Sequence, residues 1–147
     1  MIRSFVGLPL PDHVTRELEA LQVDLPVARA VIRENLHLTL AFLDDQPPPV
    51  LSALSDTLEN IEVGTFAVRL SGLTIVGGKQ PGAIAVYENG GDALNQLRAL
   101  VVRAAGSALE RRRFRPHVTI FRLSKRTEAD ESTRIQQWMD IFADYEP

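Results

Sequence analysis

The sequence predicts an α+β domain built from two similar halves, and three observations support this prediction. The 147 residues fit one domain and are enough to bury a hydrophobic core without a disulfide or a metal. Segments with the alternating apolar pattern of strands are interspersed with segments that have the three- and four-residue apolar spacing of helices. No long linker or low-complexity tract divides the chain, so residues 1–147 are expected to form a single domain.

In the first half, short β-prone apolar runs bounded by prolines predict strands, and apolar stripes that start at a cap or a proline predict helices. Leu36, Leu38, Leu40 and Phe42, for example, alternate with other residues as in a strand with one buried face. In chain order the predicted elements are a strand at 2–8, a helix from the N-cap Asp12 to Pro26, a short strand at 29–32, a strand at 36–43, a turn at 44–49, a helix from Pro48 or Pro49 to about 61, and strand material at 63–76.

The second half begins after a glycine-rich turn at 77–82 and repeats the same kinds of signal. Asp92 follows another turn and precedes a stripe of leucines and valines, which predicts a capped helix. The predicted elements are a strand at 83–87, a turn at 89–91, a helix from Asp92 to Leu109, a strand at 115–123 and a final helix at 127–145.

A shift of 80 positions aligns the two halves. The positions that then coincide are strand 2–8 with 82–88, Asp12 with Asp92, His37 with His117 and Thr39 with Thr119. Approximate two-fold symmetry would place equivalent strand residues on opposite walls of one cleft. The counterparts of the strands at 65–76 would begin near residue 145, so the last strands of the second half are expected to be missing, to come from a partner, or to lie beyond this sequence.

Composition excludes several functional classes. The chain has no cysteine, which rules out thiolate metal sites, cysteine nucleophiles and disulfides and is compatible with a cytoplasmic location. No apolar run approaches the roughly 18 residues of a membrane span, and the N-terminus lacks the layout of a signal peptide. The net charge of −3 argues against general nucleic-acid binding.

The charge is nevertheless uneven. Residues 110–126 contain seven basic residues and one acidic residue. A local positive field of this kind suits an anionic small ligand or a short strand of nucleic acid. A solvated basic helix end is the simpler explanation of the charge alone, because cations are favourable near helix C-termini.

Each of the three histidines has a threonine two places later. His13 and Thr15 lie at the start of a predicted helix, where residues two apart diverge, so both are expected to be first-turn surface residues. The other two pairs lie in predicted strands, where residues two apart share one face: these are His37 with Thr39 and His117 with Thr119.

Three interpretations of the two strand pairs remain open on the residues alone. The histidines are structural, each satisfied by a neighbour or by water. Alternatively they bind a metal, although two histidines without a clear third ligand make a poor zinc site and nothing directs Asp44 or Asp45 towards them. In the third interpretation one neutral and one protonated imidazole perform acid–base chemistry on a phosphate, while the threonine hydroxyls donate to its non-bridging oxygens.

Three segments carry a resemblance to a known family. Phe5-Val6-Gly7-Leu8-Pro9, His37-Leu38-Thr39-Leu40-Ala41-Phe42-Leu43 and Arg115-Pro116-His117-Val118-Thr119-Ile120-Phe121-Arg122 resemble the two-histidine phosphoesterase superfamily. Within it, the chain is most similar to the bacterial RNA 2',3'-cyclic phosphodiesterases, also called 2'-5' RNA ligases. The resemblance extends from residue 2 to about 142.

The resemblance implies a bilobal, pseudo-two-fold antiparallel α+β fold with outer helices around a central cleft. It also implies hydrolysis of a 2',3'-cyclic phosphate to a 2'-phosphomonoester without metal or cofactor, and reversible 2'-5' joining of RNA ends. His37 would be the proton donor and His117 the proton acceptor, and Thr39 and Thr119 would hold the phosphate. Phe42 would stack on a base and Arg122 would contact the nucleotide.

The implied partners are RNA ends with a 2',3'-cyclic phosphate or small nucleotides. Two other functions stay open: a non-catalytic module that binds RNA ends or nucleotides, and the same chemistry on a small nucleotide metabolite.

The chain departs from the family pattern in two places. Asp44 stands where relatives usually have glycine, so the turn there is expected to differ, and relatives continue through C-terminal strands beyond the point where this sequence stops. Phe42 and Arg122 also have structural explanations, as a core residue and a surface cation. Strict strand alternation would place Arg122 and His117 on opposite faces, so Arg122 reaches the cleft only if its strand ends or bends.

Overall fold

The computed structural model describes residues 1–26, 28–77, 81–88, 92–106, 116–124 and 129–147. Strands and helices follow one another in the order that the sequence predicts. They are β1 (Ile2–Pro9), α1 (Asp12–Val23), β2 (Arg29–Ala30), a 3₁₀ turn (Arg33–Asn35), β3 (His37–Gln46), α2 (Pro48–Glu59), β4 (Leu70–Gly77), β5 (Pro81–Glu88), α3 (Asp92–Ala105), β6 (His117–Arg122) and α4 (Ala129–Ile141).

The six strands form one sheet in the order β1-β3-β6-β5-β4, and β2 pairs with β6. All of the strand pairings are antiparallel. The predicted α+β class with antiparallel pairing is therefore confirmed. The two halves meet where β3 pairs with β6 at Thr39 and His117, so the two histidine motifs lie at the junction between the halves.

The internal repeat appears as the same order of strand, helix, strand and helix in each half. β4 follows the first half in sequence but pairs with β5 of the second half. Among the described residues no strand follows α4, and the segment after it bonds instead to the start of β4, where the Gly72 N–H donates to the Tyr145 carbonyl at 2.8 Å.

The core lies between one face of the sheet and the helices. Leu38, Val118 and Ile120 of β3 and β6 are 2% exposed or less. They pack with Leu18 and Leu21 of α1 in a cluster that also includes residues of α3 and α4. Because strand residues alternate, burying Leu38 and Val118 towards the helices directs the residues on either side of them to the opposite face.

Four local predictions are wrong, each for an identifiable reason. Asp12 is not the N-cap but the first helical residue of α1, because Pro11 holds the extended cap conformation. Thr15 is not on the surface: it is 5% exposed, and its hydroxyl bonds to the Pro11 carbonyl at 3.3 Å, whereas His13 is exposed as expected. The predicted turn at 44–49 starts late because β3 continues to Gln46, paired with Ile2 of β1. Residues 63–69 form no strand, since β4 begins only at Leu70.

Other boundaries shift by a few residues. The final helix ends at Ile141 rather than 145, and β6 starts at His117. The predicted end of α3 at 109, the turn at 89–91 and the start of the last strand at 115 fall outside the described residues. None of the described helices is long and apolar enough to cross a lipid bilayer.

Candidate active site

The face of the sheet opposite the helices is the floor of a cleft of about 1040 Å³. The four residues of the two strand motifs, His37, Thr39, His117 and Thr119, all line it. Local alternation explains this arrangement, because Leu38 and Val118 between them point into the core. The structure therefore brings both His–Thr pairs to one cavity.

The register of the two strands sets the geometry of the pairs. Thr39 lies opposite His117 in an antiparallel pairing, which makes His37 the diagonal neighbour of His117. Side chains that are diagonal neighbours in such a sheet are about 7–8 Å apart, which leaves room for a small anion between the rings. The register therefore places the two histidines on opposite sides of this gap, with Thr39 beside His117 across the two strands.

His37 is held on three sides. The ring of Phe5 stacks on it with centroids 4.3 Å apart and planes 13° apart. A ring N–H donates to the backbone carbonyl of Asn35. Gly7 closes the third side, because a Cβ there would lie 3.2 Å from His37 Cδ2, from the Leu38 carbonyl oxygen and from Phe5 Cε2.

The electrostatic environment of His37 disfavours its charged form. Burial is the largest cause that lowers its pKa from the ordinary value of 6.5, and the charges of Arg122 and His117 lower it further. The hydrogen bond to Asn35 acts in the opposite direction.

His117 is more enclosed than His37, with only 8% of its surface exposed. Tyr87 lies opposite it on β5, and the two ring centroids are 5.6 Å apart with the planes tilted by 55°. Thr39 is 4% exposed, and Thr119 is partly exposed. Tyr87 therefore supports the second imidazole as Phe5 supports the first.

Arg122 faces the cleft, contrary to strict alternation along β6. The pairing with β5 shifts by one residue, because Ala85 pairs with Thr119 and Ile84 with Phe121, which leaves Ile120 as a bulge. Ile120 and Phe121 are consequently both fully buried, and Arg122 returns to the face of His117.

β3 contains the equivalent bulge at Leu40, 80 positions earlier, since Gly7 pairs with Thr39 and Val6 with Ala41. It brings Phe42, 39% exposed, to the lining of the cleft rather than to the core. The bulge carbonyls are both bonded by a helix side chain of the other half: Gln22 of α1 donates to Ile120 at 2.8 Å, and Arg98 of α3 donates to Leu40 at 3.2 Å.

Asp44 lies at a second irregularity of β3, beside Leu43, and has a φ of 53°. This is the left-handed conformation that glycine adopts easily and other residues adopt at a cost. Asp44 therefore differs from the family pattern in its side chain only, because the backbone at this position still has a conformation suited to glycine.

Sequence reasoning missed several residues of the cleft. Phe5, Tyr87, Arg29 and Arg98 line it but belong to neighbouring elements, and no local pattern connects them to the histidines.

Among the residues that the structure describes, no group of three or more His, Asp or Glu side chains could hold a metal ion. Six basic residues of the 110–126 segment lie outside the described part of the chain: Arg111, Arg112, Arg113, Arg115, Lys125 and Arg126.

The sequence model of the 2'-5' RNA ligase superfamily matches residues 10–144. The chain belongs to this superfamily. The family resemblance carried by the three sequence segments is thereby confirmed.

Two curated relatives are both named RNA 2',3'-cyclic phosphodiesterase. The protein from Geobacillus stearothermophilus is 33% identical over 130 residues, which cover 80% of this chain and 41% of the relative. The protein from Aeropyrum pernix is 31% identical over 100 residues, which cover 65% of this chain and 57% of the relative. The chain thus spans about half the length of these relatives.

Two solved structures have a similar fold. E. coli LigT complexed with 3'-AMP is similar to 87% of this chain and 74% of its own, with 27% identity and a TM-score of 0.65. A protein from Thermus thermophilus is similar over 86% of this chain and 76% of its own, with 26% identity and a TM-score of 0.69.

Proposed function

We propose that this member of the superfamily hydrolyses the 2',3'-cyclic phosphate of RNA ends or nucleotides to a 2'-phosphomonoester, with His37 and His117 as the acid–base pair. The observation that carries the proposal is the diagonal arrangement of the two His–Thr pairs around one gap in the cleft. The names of the two curated relatives support the same activity.

The chemistry follows from that arrangement. A water molecule on the His117 side adds to phosphorus as His117 removes its proton, and the bond from phosphorus to the 3'-oxygen breaks as His37 gives that oxygen a proton. The two imidazoles exchange their protonation states in one turnover and are restored by solvent. In-line displacement needs the entering and leaving oxygens on opposite sides of phosphorus, and diagonal histidines provide two such sides.

The other groups of the cleft have roles in the same reaction. The hydroxyls of Thr39 and Thr119 donate to the non-bridging oxygens, where negative charge accumulates in the transition state. The lowered pKa of His37 makes its protonated form a stronger acid, and the negative phosphodiester favours that form when it binds. Arg122 adds a positive charge at the His37 end of the cleft, and the exposed ring of Phe42 offers a stacking surface to a base.

Hydrolysis of adenosine 2',3'-cyclic phosphate, followed by ³¹P NMR, tests the proposal. We expect a 2'-phosphate as the only product, a bell-shaped dependence of kcat/KM on pH, and full activity in EDTA. His37→Ala and His117→Ala should each lower kcat by about 10²- to 10⁴-fold while retaining much of the nucleotide binding.

Two outcomes would contradict the proposal. Binding without turnover of any 2',3'-cyclic substrate by the wild-type protein would leave a non-catalytic binding module. Loss of activity in EDTA would instead require a metal in the reaction. The reverse reaction, 2'-5' joining, is tested by incubating a cyclic-phosphate RNA end with a 5'-hydroxyl RNA and looking for a longer product.

A further inference from the structure

Two arginines lie directly opposite each other at one end of the cleft. Arg29 of β2 pairs with Arg122 of β6, and both side chains are exposed and line the cavity. Like charges directly opposite each other in a sheet are destabilising. Among the described residues the carboxylates form ion pairs with Arg33 and Arg69 but not with these two guanidinium groups. The repulsion between the two guanidinium groups therefore destabilises this pairing, and a bound anion would reduce that repulsion.

The backbone under the two arginines is fixed by a buried side chain. Gln22 of α1 is 9% exposed, and its amide donates to the carbonyls of Val31 and Ile120 at 2.9 and 2.8 Å. The Val31 N–H also donates to the Ile120 carbonyl at 2.9 Å. These bonds attach β2 to the bulge of β6, so the two guanidinium groups start from a defined backbone position rather than from a free loop.

The position of the pair relative to the histidines indicates which anion it meets. Because β3 and β6 are antiparallel, Arg122 lies beyond Thr119 on the side of His37, and its charge acts on that imidazole. In the proposed reaction His37 protonates the 3'-oxygen, so the ribose is on this side of phosphorus. The 5'-oxygen of that same ribose carries the next phosphate in an RNA chain.

We propose that Arg29 and Arg122 form a second phosphate subsite, which binds the phosphate on the 5'-oxygen of the nucleotide that carries the cyclic phosphate. This inference rests on the proposed function and narrows its substrate class. The chain prefers a cyclic nucleotide with a 5'-phosphate, present either as a free 5'-monophosphate or as the last phosphodiester of an RNA 3' end. A cyclic nucleoside phosphate with a free 5'-hydroxyl leaves the subsite empty.

Three substrates test the subsite: adenosine 2',3'-cyclic phosphate, the same compound with a 5'-phosphate, and the dinucleotide ApA with a terminal 2',3'-cyclic phosphate. For the wild-type protein we expect kcat/KM to be about 3- to 10-fold higher for the two 5'-phosphorylated substrates, as for a partly exposed charge-assisted contact. The preference should shrink in high salt, because exposed charges are screened. A preference for the dinucleotide identifies an RNA end as the source, and a preference for the monophosphate alone identifies a free nucleotide.

Matched variants locate the effect. Arg29→Gln should bring the ratio of kcat/KM between 5'-phosphorylated and 5'-hydroxyl substrates close to one, and Arg29→Lys should restore part of it. Arg134→Gln changes an exposed arginine of α4 outside the cleft and should leave the ratio as in the wild type. A wild-type ratio near one, or an equal loss on both substrates in Arg29→Gln, would overturn the subsite.

A binding measurement separates this inference from the proposed function. Calorimetric titration with adenosine 2'-phosphate and adenosine 2',5'-bisphosphate should give tighter binding of the bisphosphate, by a similar factor, that depends on Arg29. If no substrate is hydrolysed, the proposed function fails, and this titration still decides the subsite. Equal affinity for the two compounds would refute it.

Discussion

Gly7 offers the sharpest test of how His37 is positioned, through the substitution Gly7→Ala. The added Cβ would lie 3.2 Å from His37 Cδ2, from Phe5 Cε2 and from the Leu38 carbonyl oxygen. The carbonyl belongs to the backbone of β3 and cannot yield, whereas the two rings can move by a few tenths of an ångström. The strain should therefore be relieved by displacing the stacked Phe5 and His37 rings.

The magnitude follows from this geometry. Overpacking of this kind costs about 1–3 kcal/mol. Since two of the three contacts are rings that can move, we expect the free energy of unfolding to fall by about 1 kcal/mol, near the lower end of that range. His37, the proposed proton donor, is misplaced even after relaxation, so kcat should fall by about 10- to 100-fold while KM changes little.

Gly64→Ala is the matched control, because nothing lies within 4 Å of a Cβ at Gly64. Both variants are compared with the wild type by urea unfolding and by steady-state hydrolysis of a 2',3'-cyclic nucleotide. Gly64→Ala should retain wild-type activity and equal or slightly greater stability. The reasoning is refuted if Gly7→Ala has the wild-type kcat, or if its loss of activity is matched by Gly64→Ala.

Three further predictions follow from the same site. Arg122→Gln should raise the pKa of His37, because the guanidinium charge lowers it; NMR titration of the imidazole measures this, and an unchanged or lower pKa would contradict the assignment. Because the pKa of His37 is lowered in the folded protein, the unfolded chain protonates this imidazole at a higher pH than the folded protein does. The neutral imidazole therefore favours the folded state fully above pH 6.5, and this contribution to the free energy of unfolding is lost as the pH falls below 6.5. Urea unfolding at several pH values should therefore show that the free energy of unfolding falls more steeply on acidification for the wild type than for His37→Gln. If the free energy of unfolding has the same pH dependence in both proteins, this linkage is excluded. Asp44→Gly should raise the free energy of unfolding by about 0.5–1 kcal/mol, because φ is 53° there, and a decrease would show that the aspartate side chain stabilises the bend.

The sequence was sufficient to predict the histidine motifs on strands because strand alternation is a local property. His37 and Thr39 share one face of their strand because Leu38 between them is buried on the other face. The repeat at a distance of 80 residues predicts the same arrangement for His117 and Thr119. The order of the elements followed from periodicity and from prolines in the same way.

The bulges could not be predicted, because they depend on pairing between distant segments. The bulge at Ile120 arises from the register with β5 and is bonded by Gln22, 98 residues away in sequence. Without it, alternation would point Arg122 away from the cleft; the bulge is the bend that the sequence-based expectation required for Arg122 to reach the cleft. A side chain of α3 contacts the equivalent bulge at Leu40.

Residues that support the site from other strands were also beyond local reasoning. Phe5 and Tyr87 contact the imidazoles only because β1 and β5 flank the two motif strands. Pairing with β1 likewise extends β3 to Gln46 through a segment whose composition favours a turn. Tertiary pairing overrides local propensity at these positions.

A crystal structure with inorganic phosphate or adenosine 2'-phosphate bound tests the central claim most directly. The account predicts one phosphorus atom between the two imidazoles, with His37 and His117 each within hydrogen-bond reach of a different oxygen and the hydroxyls of Thr39 and Thr119 donating to the remaining oxygens. A phosphate bound against only one of the two imidazoles, or in another part of the cleft, would contradict it.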